Sequence, residues 1–133
     1  MFVLLIKAQG EFSMTTTQDL ENQLISAFDM MWGKYPEPVT LIHRSFTILA
    51  VNEACKATGR VAGVKCNATN PELHKGCRAM EALKTNEPKT VVSERDGIHW
   101  TSFWIPVSGT PDYYIHFTNG LNEYMEKLKA TAT

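Results

Sequence analysis

Apolar residues recur along this chain with two different periods, and the points where one period gives way to the other mark its elements. Over residues 18–32, Leu20, Leu24, Ala27, Phe28 and Met31 fall at helical spacing while Asp19, Glu21, Asn22 and Gln23 lie mostly off the stripe, which predicts an amphipathic helix. Thr15 with Gln18 offers a capping box at its start, and Gly33 and Pro36 end it. Two short runs rich in Val, Ile, Leu, Phe and Thr follow, Val39–His43 and residues 46–51, separated by Arg44-Ser45; they predict a hairpin. Asn52 then stands where a side-chain oxygen takes the first free amides of a short helix, and Gly59 where such a helix turns left-handed and stops.

Residues 59–70 show no period and carry two glycines, so they read as loop. Asn70-Pro71-Glu72 is a helix start, with a capping side chain, a proline at the first helical position and an acid in the first turn. Leu73, Cys77, Met80 and Leu83 then make one apolar face, Lys75, Arg78 and Glu81 the other, and Pro88 closes the helix. Three strands are predicted after it. Lys89–Arg95 ends at the turn pair Asp96-Gly97; residues 99–107 alternate with bulky groups on both faces, as in a central strand; residues 113–118 follow a Gly109/Pro111 turn. Gly120 breaks the last strand, and residues 121–129 form a charged helix with Leu121, Tyr124, Met125 and Leu128 on one side. The sum is an α+β fold with a five-stranded antiparallel sheet, helices on one face, and flanking helices at both ends.

Composition narrows the class. The length of 133 residues suits one core, and 44% apolar with 20% charged residues is globular. A net charge of −1 offers no positive field for nucleic acid, and no run reaches the about eighteen apolar residues that span a bilayer. Residues 1–6 are apolar but lack the features of an export signal, and Met14 reads as a second start, so residues 1–14 are expected to be a leader outside the fold. The division expected is then residues 15–35 as an N-terminal helix, 36–120 as core and 121–133 as a C-terminal helix. Three cysteines, an odd number, point to a reducing compartment and a cytoplasmic location. Asn67-Ala-Thr69 matches a glycosylation acceptor without an export signal to give it meaning.

The order of elements, with Ile48-x-x-x-Asn52, Glu53-Ala54 and Gly59, resembles the opening of a PAS domain, the small sensor module of bacterial signalling proteins. Gly63-Val-Lys-Cys66, followed by His74-Lys-Gly-Cys77 and the stretch to Pro88, is similar to a PAS subgroup in which a "GkkC" step leads to a helix reading "gC..eAL.tgeP". The likeness covers residues 37–119. It departs from the family where the first hairpin has His43 and Phe46 instead of an acid and a glycine. It implies a sensory module that works as a homodimer, binds a small ligand or a protein partner, and acts with a separate kinase or regulator. It also implies that a histidine on the long helix, here His74, is the residue to test for haem; flavin is the other cofactor to test.

A sheet crossed by helices encloses a hollow suited to a small ligand. Leu73, Cys77, Met80 and Leu83 from the helix and Phe103, Ile105, Ile115 and Phe117 from the sheet are the residues expected to line it. The alternative is that the same residues fill a solid core. Cys66, His74 and Cys77, with His43 or His99, are candidate metal ligands, but their spacing lacks a C-x-x-C, and buried thiols serve more often as small hydrophobes. Nucleophile elbows, phosphate loops and dinucleotide fingerprints are absent. His43, His99 or His116 beside Glu94 or Asp96 would suffice for a small isomerase or cyclase, which stands as the rival reading together with a pure interaction domain. No catalytic residue and no metal site is expected; Asn52 and Gly59 are expected to be structural.

Overall fold

The computed structural model describes residues 16–66 and 76–132. Helix α1 (Thr17–Trp32) starts from a capping box one residue later than the sequence suggests. The Thr16 hydroxyl accepts from the Asp19 amide at 3.0 Å, and the Asp19 carboxylate accepts from the Thr16 amide at 3.4 Å. A charged Asp also complements the positive end of the helix, which Gln18 would not. The buried stripe is Leu20, Leu24, Ile25, Phe28 and Trp32, rotated from the expected one, so that Ala27 and Met31 face outward.

Strands β1 (Val39–His43) and β2 (Ile48–Val51) form the first hairpin. Its turn is longer than a two-residue connection. Phe46 sits at φ 72°, and the turn is tied by its amide to the His43 carbonyl and by the His43 amide to the Thr47 carbonyl. The run of residues 46–51 is therefore strand only from Ile48. Helix α2 (Glu53–Lys56) is capped by Asn52 as expected, and Gly59 beyond it has φ 91°.

Helix α3 (Ala79–Thr85) is shorter than its sequence predicts. Gly76, Cys77 and Arg78 are not helical, so Cys77 precedes the helix instead of lying on its face. The expected start at Asn70, with Leu73 and His74, lies outside the described residues. Strands β3 (Lys89–Arg95), β4 (Ile98–Pro106) and β5 (Tyr113–Asn119) make an antiparallel meander, its first turn formed by Asp96 at φ 54° and Gly97 at φ 80°. That pair is the two-residue turn whose twist suits a hairpin. Helix α4 (Leu121–Ala132) follows.

The sheet order is β2-β1-β5-β4-β3, all antiparallel, so the first strand pairs with the last and the two hairpins close side by side. Successive side chains on each strand point to opposite faces. One face packs α2 and α3 through Ile42, Ile48, Val51, Trp104 and Tyr114. The other packs α1 through Val39, Leu41, Phe103, Tyr113 and Phe117. The helices thus form two layers, one on each side.

Asn52 joins these parts. Its residue is 1% exposed, and its carboxamide makes five hydrogen bonds. Oδ1 accepts from the amides of Val39 and Cys55, while Nδ2 donates to the carbonyls of Trp32, Tyr35 and Glu37. One side chain therefore satisfies the end of α1, the start of β1 and the start of α2. Buried backbone groups without such partners would each be costly.

Candidate functional site

The layer between the sheet and α2/α3 gathers the three cysteines with Trp104 and Tyr114. Ala79 and Ala82 of α3 are fully buried, and their small size lets the helix come close to the strands, with Leu83 one position on also packed inward. Met80 is left 41% exposed by that same phase. Opposite α3, Trp104 of β4 and His116 of β5 are cross-strand partners with rings stacked 4.9 Å apart at 10°. The His116 Nδ1 lies 2.8 Å from the Phe103 carbonyl oxygen; a carbonyl only accepts, so the proton is on Nδ1. Thr40 donates to the His116 carbonyl, and the hydroxyls of Ser102 and Thr118 pair across the strands at 3.0 Å.

Tyr114 and two thiols complete the layer. The Cys66 thiol and the Tyr114 hydroxyl are hydrogen-bonded, and Cys77 lies close enough to act on both. Burial, first, and then its neighbours Cys66 and Cys77 push the Tyr114 phenol well above the usual range. Burial likewise pushes the Cys66 thiol up, with the hydrogen bond from Tyr114 opposing it. Both groups are therefore held neutral, as small polar contacts inside an apolar layer. All three cysteines are free thiols.

The sequence-based site divides between the two faces. Cys77 and Leu83 do border this layer. Phe103, Ile105, Ile115 and Phe117 do not; they lie on the opposite face, packed with α1, where Phe103 and Phe117 stack at 4.8 Å. The reason is parity. On β4 and β5 both alternating sets are bulky, so hydrophobicity alone does not say which set meets α3. Trp104 and Tyr114 were missed for that reason, although the polar neighbours Ser102, His116 and Thr118 at the same parity marked the face that is not purely apolar. Leu73 and His74 fall outside the described residues. Among the described residues no three His, Cys, Asp or Glu side chains converge on a point that would hold a metal ion. His99 is exposed opposite Glu94 on β3, away from the inner layer.

A second arrangement concerns the two ends of the core. The Tyr35 hydroxyl donates to Asn119 Oδ1 at 2.8 Å, and the Gly120 amide donates to the Glu37 carboxylate at 3.1 and 3.3 Å. The linker leaving α1 is thereby bonded to the residues from which α4 begins. Tyr124 of α4 packs its ring 5.2 Å from that of Trp100. Together with Asn52, these contacts place the end of α1 and the start of α4 at one corner of the sheet.

No family model matches the chain, and no curated protein matches it. Among solved structures it is similar to a sensory box sensor histidine kinase from Vibrio cholerae, with 10% identity over 80% of this chain and 97% of that one and a TM-score of 0.54. It is also similar to the PAS domain of BvgS from Bordetella pertussis, with 18% identity over 88% of this chain and 98% of that one and a TM-score of 0.46. The chain has the PAS fold. The inner layer described above is the α2/α3 side of that PAS sheet, and α1 is a helix added to its outer side. Among the described residues no helix is long and apolar enough to cross a membrane.

Proposed function

We propose that this PAS domain is a cytoplasmic sensory module without catalytic activity of its own, which receives a small ligand or a protein partner and passes the change to a separate kinase or regulator through homodimer contacts of α1 and α4. The observation that carries the reading is the shared corner, where Tyr35 and Glu37 hold Asn119 and Gly120. A change in the sheet at β5 reaches both helices through the same few hydrogen bonds. The receiving surface is proposed to be the inner layer, with Cys77 and Leu83 joined by Trp104, Tyr114 and His116, an apolar surround with a few fixed polar groups.

The dimer contact is proposed to use the exposed apolar residues of the two helices. Met30 and Met31 on α1 are 83% and 75% exposed, and Met125 on α4 is 46% exposed. Large apolar side chains in such positions mark association surfaces more often when they are grouped. Light scattering after gel filtration should give the mass of a dimer, and the double variant Met30→Asp, Met31→Asp should give a monomer with an unchanged circular dichroism spectrum. A wild-type monomer at every concentration would remove the homodimer from the proposal.

A further inference from the structure

Two of the three free thiols border the same phenol. Residues 63–66 run along the outer edge of β2, where the Ile48 amide donates to the Val64 carbonyl at 2.9 Å and the Cys66 amide to the Phe46 carbonyl at 2.7 Å. These bonds fix Cys66, whose side chain is buried and accepts from the Tyr114 hydroxyl. Cys77 packs against the same cluster from the non-helical residues that lead into α3, and is half-buried there. Its neighbour Arg78 donates to the Thr90 carbonyl at 3.0 Å and to the Glu81 carboxylate at 2.8 and 2.9 Å. Ala79 is fully buried, so the chain around Cys77 is held against the sheet.

The two thiols are each other's neighbours, and the third stands apart. Tyr114, Cys77 and Arg60 act on the Cys66 side chain, whereas Arg60 and Thr58 act on that of Cys55. Cys55 is buried, and its backbone is held at both polar groups, the amide by Asn52 Oδ1 and the carbonyl by the Thr58 hydroxyl. Cys66 and Cys77 also divide the chemistry between them. Burial pushes the Cys66 thiol up, so little of it is thiolate at neutral pH, while Cys77 is open enough to meet a small oxidant.

We propose that Cys66 and Cys77 are a redox-active pair that a peroxide converts into a disulfide. First, the Cys77 sulfur gives its proton to water and attacks one peroxide oxygen; the S–O bond forms, the O–O bond breaks, and the departing hydroxide takes up a proton to become water. Next, the Cys66 sulfur attacks the sulfenic sulfur of Cys77; the S–S bond forms, the S–O bond breaks, and the hydroxide leaves with the Cys66 proton as a second water. The two sulfurs supply the two electrons that reduce the peroxide. A disulfide needs Cβ atoms about 3.8 Å apart, and because Cys77 lies outside α3 it can close on Cys66 without unwinding that helix. The bond removes the Cys66 thiol from Tyr114 and ties the approach to α3 to the edge of β2. It does so whether or not the inner layer also admits a ligand.

The test is oxidation of the full chain with hydrogen peroxide, then alkylation, trypsin digestion without reductant and mass spectrometry. Trypsin cuts after Lys65, Lys75 and Arg78, so the two thiols part onto residues 66–75 and 76–78, and a bond between them shows as a linked pair of peptides. That pair should appear with Cys55 still alkylated, and dithiothreitol should remove it. Cys66→Ser should leave Cys77 as a sulfenic acid that dimedone traps, and Cys77→Ser should slow the loss of the Cys66 thiol by at least about tenfold. No linked pair at about tenfold excess of peroxide, with Cys77 carried on to the sulfinic acid or left untouched, would overturn the proposal. A bond joining Cys77 of two chains, or Cys66 to Cys55, would overturn it as well.

Discussion

Asn52→Leu should lower the unfolding free energy by at least about 3 kcal/mol, because it strips a hydrogen-bond partner from buried backbone groups that are each costly to leave unpaired. Two amides and three carbonyls lose that partner at once. Asn52→Asp refines the test. Its first oxygen keeps the Val39 and Cys55 amides, but the second faces the carbonyls of Trp32, Tyr35 and Glu37, where a negative charge is repelled. The folded-state pKa of this aspartate is therefore raised above its unfolded value of about 3.9. Below about pH 4 the group is neutral in both states and the variant is nearest to wild type; the deficit grows as pH rises through that value and is largest at neutral pH. Urea denaturation at the two pH values measures both. A loss under about 1 kcal/mol for Asn52→Leu would mean that the carboxamide does not join the three segments.

Gly120→Ala should cost about 2–4 kcal/mol, several times the cost of Gly97→Ala. Both glycines have left-handed backbones, at φ 97° and 80°. They differ in surroundings. A Cβ on Gly120 would stand 2.7 Å from the His99 carbonyl oxygen and 3.2 Å from the Trp100 Cα, both backbone atoms that move only with β4. A Cβ on Gly97 meets nothing within 4 Å, so its cost is conformational only, about 1 kcal/mol. Thermal unfolding of the two variants measured side by side gives the difference. Equal losses would show that the close approach of Gly120 to β4 does not constrain where α4 begins.

Much of the architecture was legible because local chemistry and pattern agree at the relevant places. Asn52 announces a cap and is one; Asp96-Gly97 announces a two-residue turn and is one; β4 has bulky residues at both parities and lies between β5 and β3. The parts misread have specific causes. The rotated stripe of α1 follows from Ile25 and Trp32, which serve the core better than Ala27 and Met31 because they are larger. The early start expected for α3 rests on the period from Leu73 to Leu83, which runs through Gly76; the observed helix begins after it, at Ala79. The assignment of Phe103, Ile105, Ile115 and Phe117 to the inner layer failed because a sheet covered on both faces gives no amphipathic signal to orient it. The corner made by Tyr35, Glu37, Asn119 and Gly120 was not legible at all. It joins residues more than eighty positions apart through side chains that look ordinary in sequence.

That corner is the central element of the account, and hydrogen exchange of the Glu37→Ala variant tests it most directly. Local opening is read amide by amide in such an experiment. The account predicts exchange faster by about tenfold or more both in residues 120–124, where α4 starts, and in residues 33–37, where the chain leaves α1, with β3 and β4 unchanged. Acceleration limited to the Gly120 amide, with the α1 exit as protected as before, would contradict it.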